Sequence, residues 1–524
     1  MGRQLSRREA LGLLLGAGLW AVAGCRVPEV GQAARASDPT QPRPGGILKI
    51  GHHADPTTLD PHEGAPAALP LMGLVYSRLV RFRVGREVHP NQLIPEPDLV
   101  ESWEQTDDLT YVFHLRKGVR FHNRPPVNGR ELVAEDVRAN LEWLTSSPDP
   151  RHRLHFGRID RVEIPDKYTV KVILKEVTAP FIYYVAGPYG WILPRELVGQ
   201  RALLRDTAVG TGPFVVHERI PGISIILKKN PEYFVAGRPF LDEVHWLVIP
   251  NETARLAYFR AGALDLLPPA VPTSPAEFEL IRQALPEVQA EEVPGAEAYY
   301  LKVRADAGPL ADRRARQALA LAVDRQALLE RLVRGHGVAA GPLSPALMEW
   351  VLPADRLGPA ARYYRPDPEL AHQLAAATGL PGLALRLGLP PGVAGGQTWL
   401  EVLQDQLGRF GIGLARGDGS AELNLQVYGF FLDPDEQLAA MFEGGGAAAA
   451  DPYLAELVRR QRRILNKAAR KQLIDEIQLY LAEQQYFIGL ISASHFGLWQ
   501  PHVRGYRPHS GPGSYELVDT WLGR

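Results

Sequence analysis

The chain has 524 residues, of which 45% are apolar and 22% charged, and its formal net charge at neutral pH is −1. This length exceeds the ~250–300 residues at which a single core stops growing, so two or three domains are expected. The near balance of charge offers no basic surface for a nucleic-acid partner, and the single cysteine excludes an internal disulfide.

The first residues form a segment typical of an export signal. Arg7 and Arg8 precede an apolar run from Leu11 to Ala23. That run is shorter than the ~20 apolar residues that cross a bilayer, so it predicts the core of a signal peptide rather than a membrane span. The arginine pair resembles a twin-arginine signal, although Ala10 and Gly12 stand where Phe and Lys are usual.

The end of this segment predicts a lipid anchor. Val22-Ala23-Gly24-Cys25 resembles a lipobox, in which cleavage makes Cys25 an N-terminus that carries diacylglycerol. We therefore expect a signal peptide over residues 1–24 and a flexible tether over 25–45, which lacks apolar periodicity. The alternative is a chance apolar helix with a buried thiol. The prediction places the mature protein outside the cytoplasmic membrane, in the periplasm or at the cell surface.

From Gly46 onward the chain mixes strand-like and helix-like segments, without an internal repeat. Alternation at period two, or short β-branched runs, predict strands at 46–51, 109–115, 162–164, 169–174, 224–228 and 244–249. Apolar residues at helical spacing predict helices at 134–144, 313–333, 367–377, 399–410 and 453–487. The pattern predicts a mixed α/β fold.

The usual catalytic and metal-binding motifs are missing from this sequence. There is no phosphate loop and no nucleophile elbow. His152 and His155 invite a metal interpretation, but no Cys or carboxylate stands beside them at ligand spacing, so we expect surface histidines there. His52 and His53 follow the first strand and are weaker candidates for ligand contact. We expect no metal and no cofactor.

A series of short segments carries a resemblance to a known family. The most specific block is 107–122 (DDLTYVFHLRKGVRFH), which follows 97–104 (PDLVESWE). Further segments, in order, are 58–62, 134–137, 210–214, 230–234, 239–244 and 313–325. Together they resemble the family-five extracellular solute-binding proteins, which include oligopeptide, dipeptide and nickel receptors of ABC importers.

The resemblance implies a periplasmic-binding-protein-like two-lobe clamshell of α/β class with an additional inserted domain. Such lobes close on a ligand because both gain contacts with it. On this basis we expect the following domains: lobe I over residues 46–82, 200–293 and 500–524, the inserted domain over 83–199, and lobe II over 294–499.

The resemblance also implies that the protein is not an enzyme. We expect a monomeric receptor that captures a small-molecule or peptide solute between its lobes and delivers it to an ABC permease in the membrane. One alternative is a receptor-like protein that has lost transport and acts as a sensor or assembly partner. Another is a hydrolase on the same scaffold, which would need an acid–base pair in the cleft.

The expected ligand-binding stretch departs from the family at one position. Peptide receptors of the family carry an Asp in a Trp-x-x-Asp-Tyr-x-Asp-Pro stretch, and this carboxylate binds the α-ammonium of the peptide. Phe430 stands at that position in the matching stretch, 427–434. A buried ammonium without an anion is costly, so Phe430 favours an uncharged or apolar ligand group. Asp433 as a substitute anion is the less favoured alternative.

Six residues are predicted to bind substrate on this basis. They are Ala65 and Pro66 in lobe I, and Tyr428, Gly429, Phe430 and Phe431 in lobe II. The aromatic residues Tyr183, Tyr184, Tyr189 and Trp191 are expected in the core, with the cleft as the alternative. The short link 412–425 and the low-complexity stretch 444–450 predict a trimmed wall in lobe II, which means either a wider pocket or lost binding.

Overall fold

The computed structural model of the protein describes residues 41–63, 68–306, 308–442 and 451–523, without the side chains of 294–296. The predicted signal peptide with Cys25, the predicted binding residues Ala65 and Pro66, and the stretch 444–450 lie outside these ranges. Those predictions therefore remain predictions. In the part of the chain that is described, no helix is both long and apolar enough to cross a bilayer.

The described strands run through the whole chain. In order they are β1 (Ile47–His52), β2 (Val80–Phe82), β3 (Pro95–Pro97), β4 (Val100–Asp107), β5 (Thr110–Leu115), β6 (Ile159–Asp166), β7 (Thr169–Leu174), β8 (Phe214–Ile220), β9 (Ser224–Lys229), β10 (Glu243–Val248), β11 (Leu266–Leu267), β12 (Gln289–Val303), β13 (Gly337–Ala339), β14 (Ala384–Gly388), β15 (Gly413–Gly417), β16 (Leu423–Tyr428), β17 (Phe487–Trp499), β18 (Val503–Arg504) and β19 (Trp521–Leu522).

The α-helices alternate with these strands. They are α1 (Leu69–Val75), α2 (Ala134–Ser146), α3 (Pro150–Phe156), α4 (Phe181–Val185), α5 (Arg201–Leu204), α6 (Glu252–Arg260), α7 (Pro275–Ala284), α8 (Arg313–Ala322), α9 (Arg325–Val333), α10 (Pro368–Thr378), α11 (Gly396–Gly408), α12 (Pro434–Phe442), α13 (Pro452–Arg462) and α14 (Lys467–Gln484). Short 3₁₀ helices occur at Pro309–Ala311, Pro345–Trp350, Ala354–Arg356, Gly358–Tyr364 and Tyr515–Val518.

One large mixed sheet extends through both halves of the molecule. Its strand order is β15-β14-β16-β12-β17-β11-β1-β10-β9-β8, with β13 paired to β17 beside this path. We call the part built on β1 and β8–β11 lobe I, and the part built on β13–β16 lobe II. The domain boundaries expected from the sequence remain predictions, although the two-lobe α/β architecture is confirmed.

Strands β12 and β17 pass from one lobe into the other. In lobe I, Val293 of β12 pairs with His495 of β17, whereas further along the strand Glu297 pairs with Ala493. Three residues of β12 therefore face a single residue of β17, which is an irregularity of the β-bulge kind. A pair of shared strands with a break in its ladder is a suitable hinge between two lobes.

A separate antiparallel sheet, in the order β4-β5-β7-β6, forms the inserted domain together with α2, α3 and α4. Strand β5 alternates as the sequence predicts: Phe113 and Leu115 are buried, and His114 lies on the other face. Asp107 closes the turn before this strand by accepting a hydrogen bond from the N–H of Leu109 at 2.8 Å. The strand and its turn are thus explained by local sequence.

Helices cover both faces of the large sheet in each lobe. In lobe II, the sheet separates a core packed by α8–α11 from a second core packed by α12–α14. In lobe I, α6 and α7 cover one face, while the other face joins the core of the inserted domain. We call the boundary between lobe II and the inserted domain the seam; Leu432 of lobe II crosses it and joins the core of lobe I and the inserted domain.

Two segments that were each predicted to be helical throughout are interrupted in the structure. The segment 313–333 is divided into α8 and α9, because Asp324 caps the second helix by accepting from the N–H of Ala327 at 3.0 Å. The segment 453–487 contains α13 and α14, and Asn466 caps the latter. Phe487, expected at a helix end, is the first residue of β17.

Candidate ligand cleft

A cavity of about 390 Å³ lies in the seam between lobe II and the segments around β3 and α4. This volume lies within the range of about 300–1,000 Å³ that is typical of small-molecule sites. The lining residues are Asn91, Gln92, Leu93 and Tyr183 on one side, and Ala346, Leu347, Met348, Glu349, Trp350, Phe431 and Leu432 on the other. The boundary between the domains is therefore not solid.

The lining is apolar apart from a few side chains. Among the described lining residues the only charged group is Glu349, which forms a surface ion pair with Lys467 at 2.8 Å. Burial raises the pKa of Tyr183 to about 12, so its hydroxyl remains a neutral donor at physiological pH. The cavity lining contains no pair of carboxyl groups that would serve a hydrolase as acid and base.

Part of the wall has an unusual backbone. Met348, in the segment Pro345–Trp350, has φ 39° and ψ −99°, and its residue surface is 37% exposed. A non-glycine residue in such a conformation costs about 1–3 kcal/mol and persists only where its surroundings fix it. Strain of this kind is concentrated at ligand-binding and catalytic sites, so it favours a role for this wall in ligand binding.

The predicted binding residues of lobe II differ in their relation to the cavity. Phe431 lines it directly, and Tyr428 packs behind Phe431 with ring centroids 5.9 Å apart. Phe430 is half-buried and packs against the core shared by lobe I and the inserted domain. Gly429 is exposed, and a side chain there would meet nothing within 4 Å. The structure thus places Phe431 at the cavity, and ligand contact by all four residues stays a prediction.

The carboxylates that follow Phe431 are all engaged within the protein. Asp433 is fully buried and forms a bidentate ion pair with Arg470, with one N–O distance of 2.7 Å. Asp435 is also fully buried and accepts hydrogen bonds from Gln461 and Arg462, at 2.6 Å and 2.8 Å. Asp433 is therefore already paired within the protein, and its use as a substitute for the ammonium-binding aspartate stays the less favoured prediction.

Two side chains of the inserted domain contact these carboxylates across the seam. The hydroxyl of Tyr184 donates to Asp435 at 2.8 Å. Nε2 of His155 forms a short hydrogen bond with Glu436, and its ring stacks on Tyr184 at 4.5 Å. Burial, reinforced by Asp435, raises the pKa of Tyr184 well above its ordinary value. These contacts hold lobe II against the inserted domain beside the cavity.

The prediction that His152 and His155 lie on the surface is wrong. They are 0% and 3% exposed, respectively. Nδ1 of His152 bonds to Ser147 at 2.8 Å, and its Nε2 bonds to the carbonyl of His62 at 2.8 Å. The arginine-rich sequence around them favours exposure, but α3 turns its histidine face inward, where His152 bonds through both ring nitrogens and His155 through Nε2.

The other candidates singled out from the sequence are mostly structural. His52 is fully buried, bonds to the carbonyl of Ala54 at 2.9 Å, and burial lowers its pKa to about 4. Neither His52 nor His53 lines the cavity. Tyr184 and Trp191 are core residues, whereas Tyr183 reaches the cavity. Across the described ranges, His, Cys, Asp and Glu side chains form no cluster suited to a metal ion.

Sequence reasoning missed the cavity wall at Pro345–Trp350 and the contribution of Asn91–Leu93. No chemical motif marks either segment. The one available signal was the concentration of apolar side chains in the proline-containing turn Pro345–Trp350, which resembles ordinary core. Only the tertiary structure brings these segments to Phe431.

The two-lobe fold, the shared hinge strands and the cavity in the seam define a solute-binding protein. Residues 95–450 match the family described as "Bacterial extracellular solute-binding proteins, family 5 Middle". This match covers more than half of the chain, so the chain belongs to that family. The family consists of extracytoplasmic solute-binding proteins rather than enzymes, in agreement with the expectation from the sequence.

Individual relatives agree with this assignment. Heme-binding protein A of Haemophilus influenzae is 26% identical over 480 residues, covering 82% of this chain and 84% of that protein. The dipeptide-binding protein of Escherichia coli is 30% identical over 326 residues, covering 58% of each. The solved structure of the periplasmic binding protein DppA from Helicobacter pylori, in complex with peptide STSA, matches with a TM-score of 0.74 at 21% identity, covering 92% of this chain and 99% of that one.

Proposed function

We propose that this protein is a lipid-anchored receptor of an ABC importer that captures a peptide-like or less polar solute between its lobes. Relatives named for dipeptide and heme binding support a small organic cargo. The lipobox-like end at Cys25 supports the anchor, and the family supports delivery to a membrane permease. No cofactor is needed for this role.

A single observation carries the choice of cargo. The position of the ammonium-binding aspartate holds Phe430, and the nearby carboxylates Asp433, Asp435 and Glu436 pair with groups of the protein itself. A charged ammonium at this end of the cleft would therefore lose its hydration without gaining an anion. We infer that the cargo presents a neutral or blocked group to Phe430.

We expect N-acetyl-dileucine amide to bind more tightly than dileucine amide with a free ammonium. Leaving a buried charge unpaired costs at least about 1–3 kcal/mol, so the expected ratio of dissociation constants is about tenfold or more. Isothermal titration at pH 7 measures both constants. Phe430→Asp should reverse the preference, and Val427→Asp, at an exposed position of β16 three residues earlier, is the matched control.

Equal binding of the two probes would contradict the role given to Phe430. A second outcome would instead support a sensor or assembly partner. In that case the probe binds and raises the melting temperature of the protein, but cells that lack the protein take up the probe as well as wild-type cells do. A free probe concentration of about 100 times the dissociation constant stabilises the folded state by about 2.7 kcal/mol, which a thermal scan detects easily.

The anchor is tested separately. We expect Cys25→Ser to abolish the incorporation of labelled palmitate and to shift the protein from the membrane to the soluble extracytoplasmic fraction, since a single thiol is available for lipidation. Whole-protein mass spectrometry of wild type should show the added lipid on a chain that begins at residue 25. An unmodified wild-type chain in the soluble fraction would overturn the anchor.

A further inference from the structure

The wall segment Pro345–Trp350 is held at both ends by buried glutamine side chains. At its start, Oε1 of Gln437 accepts a hydrogen bond from the N–H of Ser344 at 2.8 Å. At its end, Nε2 of Gln478 donates to the carbonyl of Trp350, and its Oε1 accepts from the N–H of Leu352, both at 2.8 Å. Both glutamines are fully buried.

These clamps explain how Met348 keeps its strained backbone conformation. Gln437 belongs to α12 and Gln478 to α14, so the segment is fixed to two helices of lobe II in addition to its own turn hydrogen bonds. Fully bonded buried amides specify one conformation of the backbone they contact. As a result the Met348 side chain is presented to the cavity by a rigid frame.

The surfaces facing Met348 are suited to an apolar group. Leu93, Tyr183, Phe431 and Leu432 line the cavity with it, and Trp350 closes one side. The charge of Glu349 is paired with Lys467 at the surface. Gln92 contributes an exposed side chain to the same lining. An unbranched thioether adapts to apolar groups of different shape.

We propose that Met348 is a specificity-determining residue, and that the cavity it lines is a subsite for an apolar side chain of the cargo. Gln437 and Gln478 are positioning residues that fix this wall. The inference rests on the proposed receptor function and makes it more specific: it names hydrophobic peptide-like compounds as the preferred cargo and small polar ones as the disfavoured class.

The test compares N-acetyl-dileucine amide with N-acetyl-diserine amide on the full-length protein purified in detergent. We expect the leucine probe to bind about tenfold or more tightly, because an apolar pocket discriminates to that extent over one side chain. Met348→Ser should bring the ratio close to one by weakening the leucine probe alone. Leu479→Ser, at an exposed position of α14 away from the cavity, should leave the ratio unchanged.

The positioning role has its own readout. Gln478→Met keeps the volume of the side chain but removes both hydrogen bonds, so it should weaken the leucine probe several-fold while far-ultraviolet circular dichroism stays native. If Met348→Ser leaves the ratio of the dissociation constants of the two probes unchanged, the subsite is overturned while the receptor function stands. Binding of neither probe, by any variant or by wild type, overturns both the subsite and the receptor function.

Discussion

Replacing Arg470 by methionine is expected to lower the free energy of unfolding by about 3–5 kcal/mol. The guanidinium is the bidentate partner of Asp433, which is fully buried in the turn before α12. Methionine fills a similar volume but leaves the carboxylate without a counter-charge. Breaking a buried pair on one side is far more costly than replacing both partners, because one charge stays buried alone. Urea denaturation at pH 7 measures the loss.

The dependence on pH distinguishes a lost ion pair from a simple packing defect. Burial already raises the pKa of Asp433, and Arg470 opposes that rise. Without Arg470 the carboxyl group should be protonated in the folded state at higher pH, so the variant should regain stability as the pH falls toward 5. Asp433→Asn combined with Arg470→Met should recover part of the loss at pH 7. A deficit that stays the same from pH 5 to 8 would contradict this account.

The second large effect concerns Glu516 in the 3₁₀ helix Tyr515–Val518. Burial raises the pKa of this carboxyl group from its ordinary 4.5 to about 8. Between these values the folded state holds a proton that the unfolded state has released. The resulting stability is fully present below pH 4.5 and is lost as the pH rises toward 8. The total loss is about 4–5 kcal/mol, at about 1.4 kcal/mol per pKa unit.

We therefore expect Glu516→Gln to become progressively more stable than wild type as the pH rises from 5 to 9. Chemical denaturation of both proteins in the same buffers gives this difference directly, and the titration of other groups, such as His62, cancels. The matched control is Glu218→Gln, the same substitution at an exposed position of β8. A difference for Glu516→Gln that does not change between pH 5 and 9 would show that the carboxyl group is not protonated in the fold.

Local sequence was sufficient wherever a structure depends on neighbouring residues. The alternation of Phe113, His114 and Leu115 predicts the buried face of β5, and Asp107 predicts its turn. The capping side chain of Asp324 is a local signal for the break between α8 and α9. The apolar periodicity continues across this break, however, and therefore predicts one long helix. Element type was therefore easier to predict than element boundaries.

The site depends on residues that are far apart in the chain, which a single sequence does not bring together. Phe430 was identified because it replaces a known residue type, and Phe431 because it is adjacent. Met348 has no such signal: its conformation is set by Gln437 and Gln478, whose bonds to Ser344 and Trp350 span 93 and 128 residues. The burial of His155 likewise depends on Glu436, 281 residues away.

The cavity between lobe II and the inserted domain is the expected binding site of the cargo. A crystal structure of the protein with N-acetyl-dileucine amide tests this most directly. We predict that the probe lies in the cavity of about 390 Å³, with a leucine side chain against Met348 and its acetyl group toward Phe430. A probe bound elsewhere on the protein, with that cavity unoccupied at saturating concentration, would contradict the account.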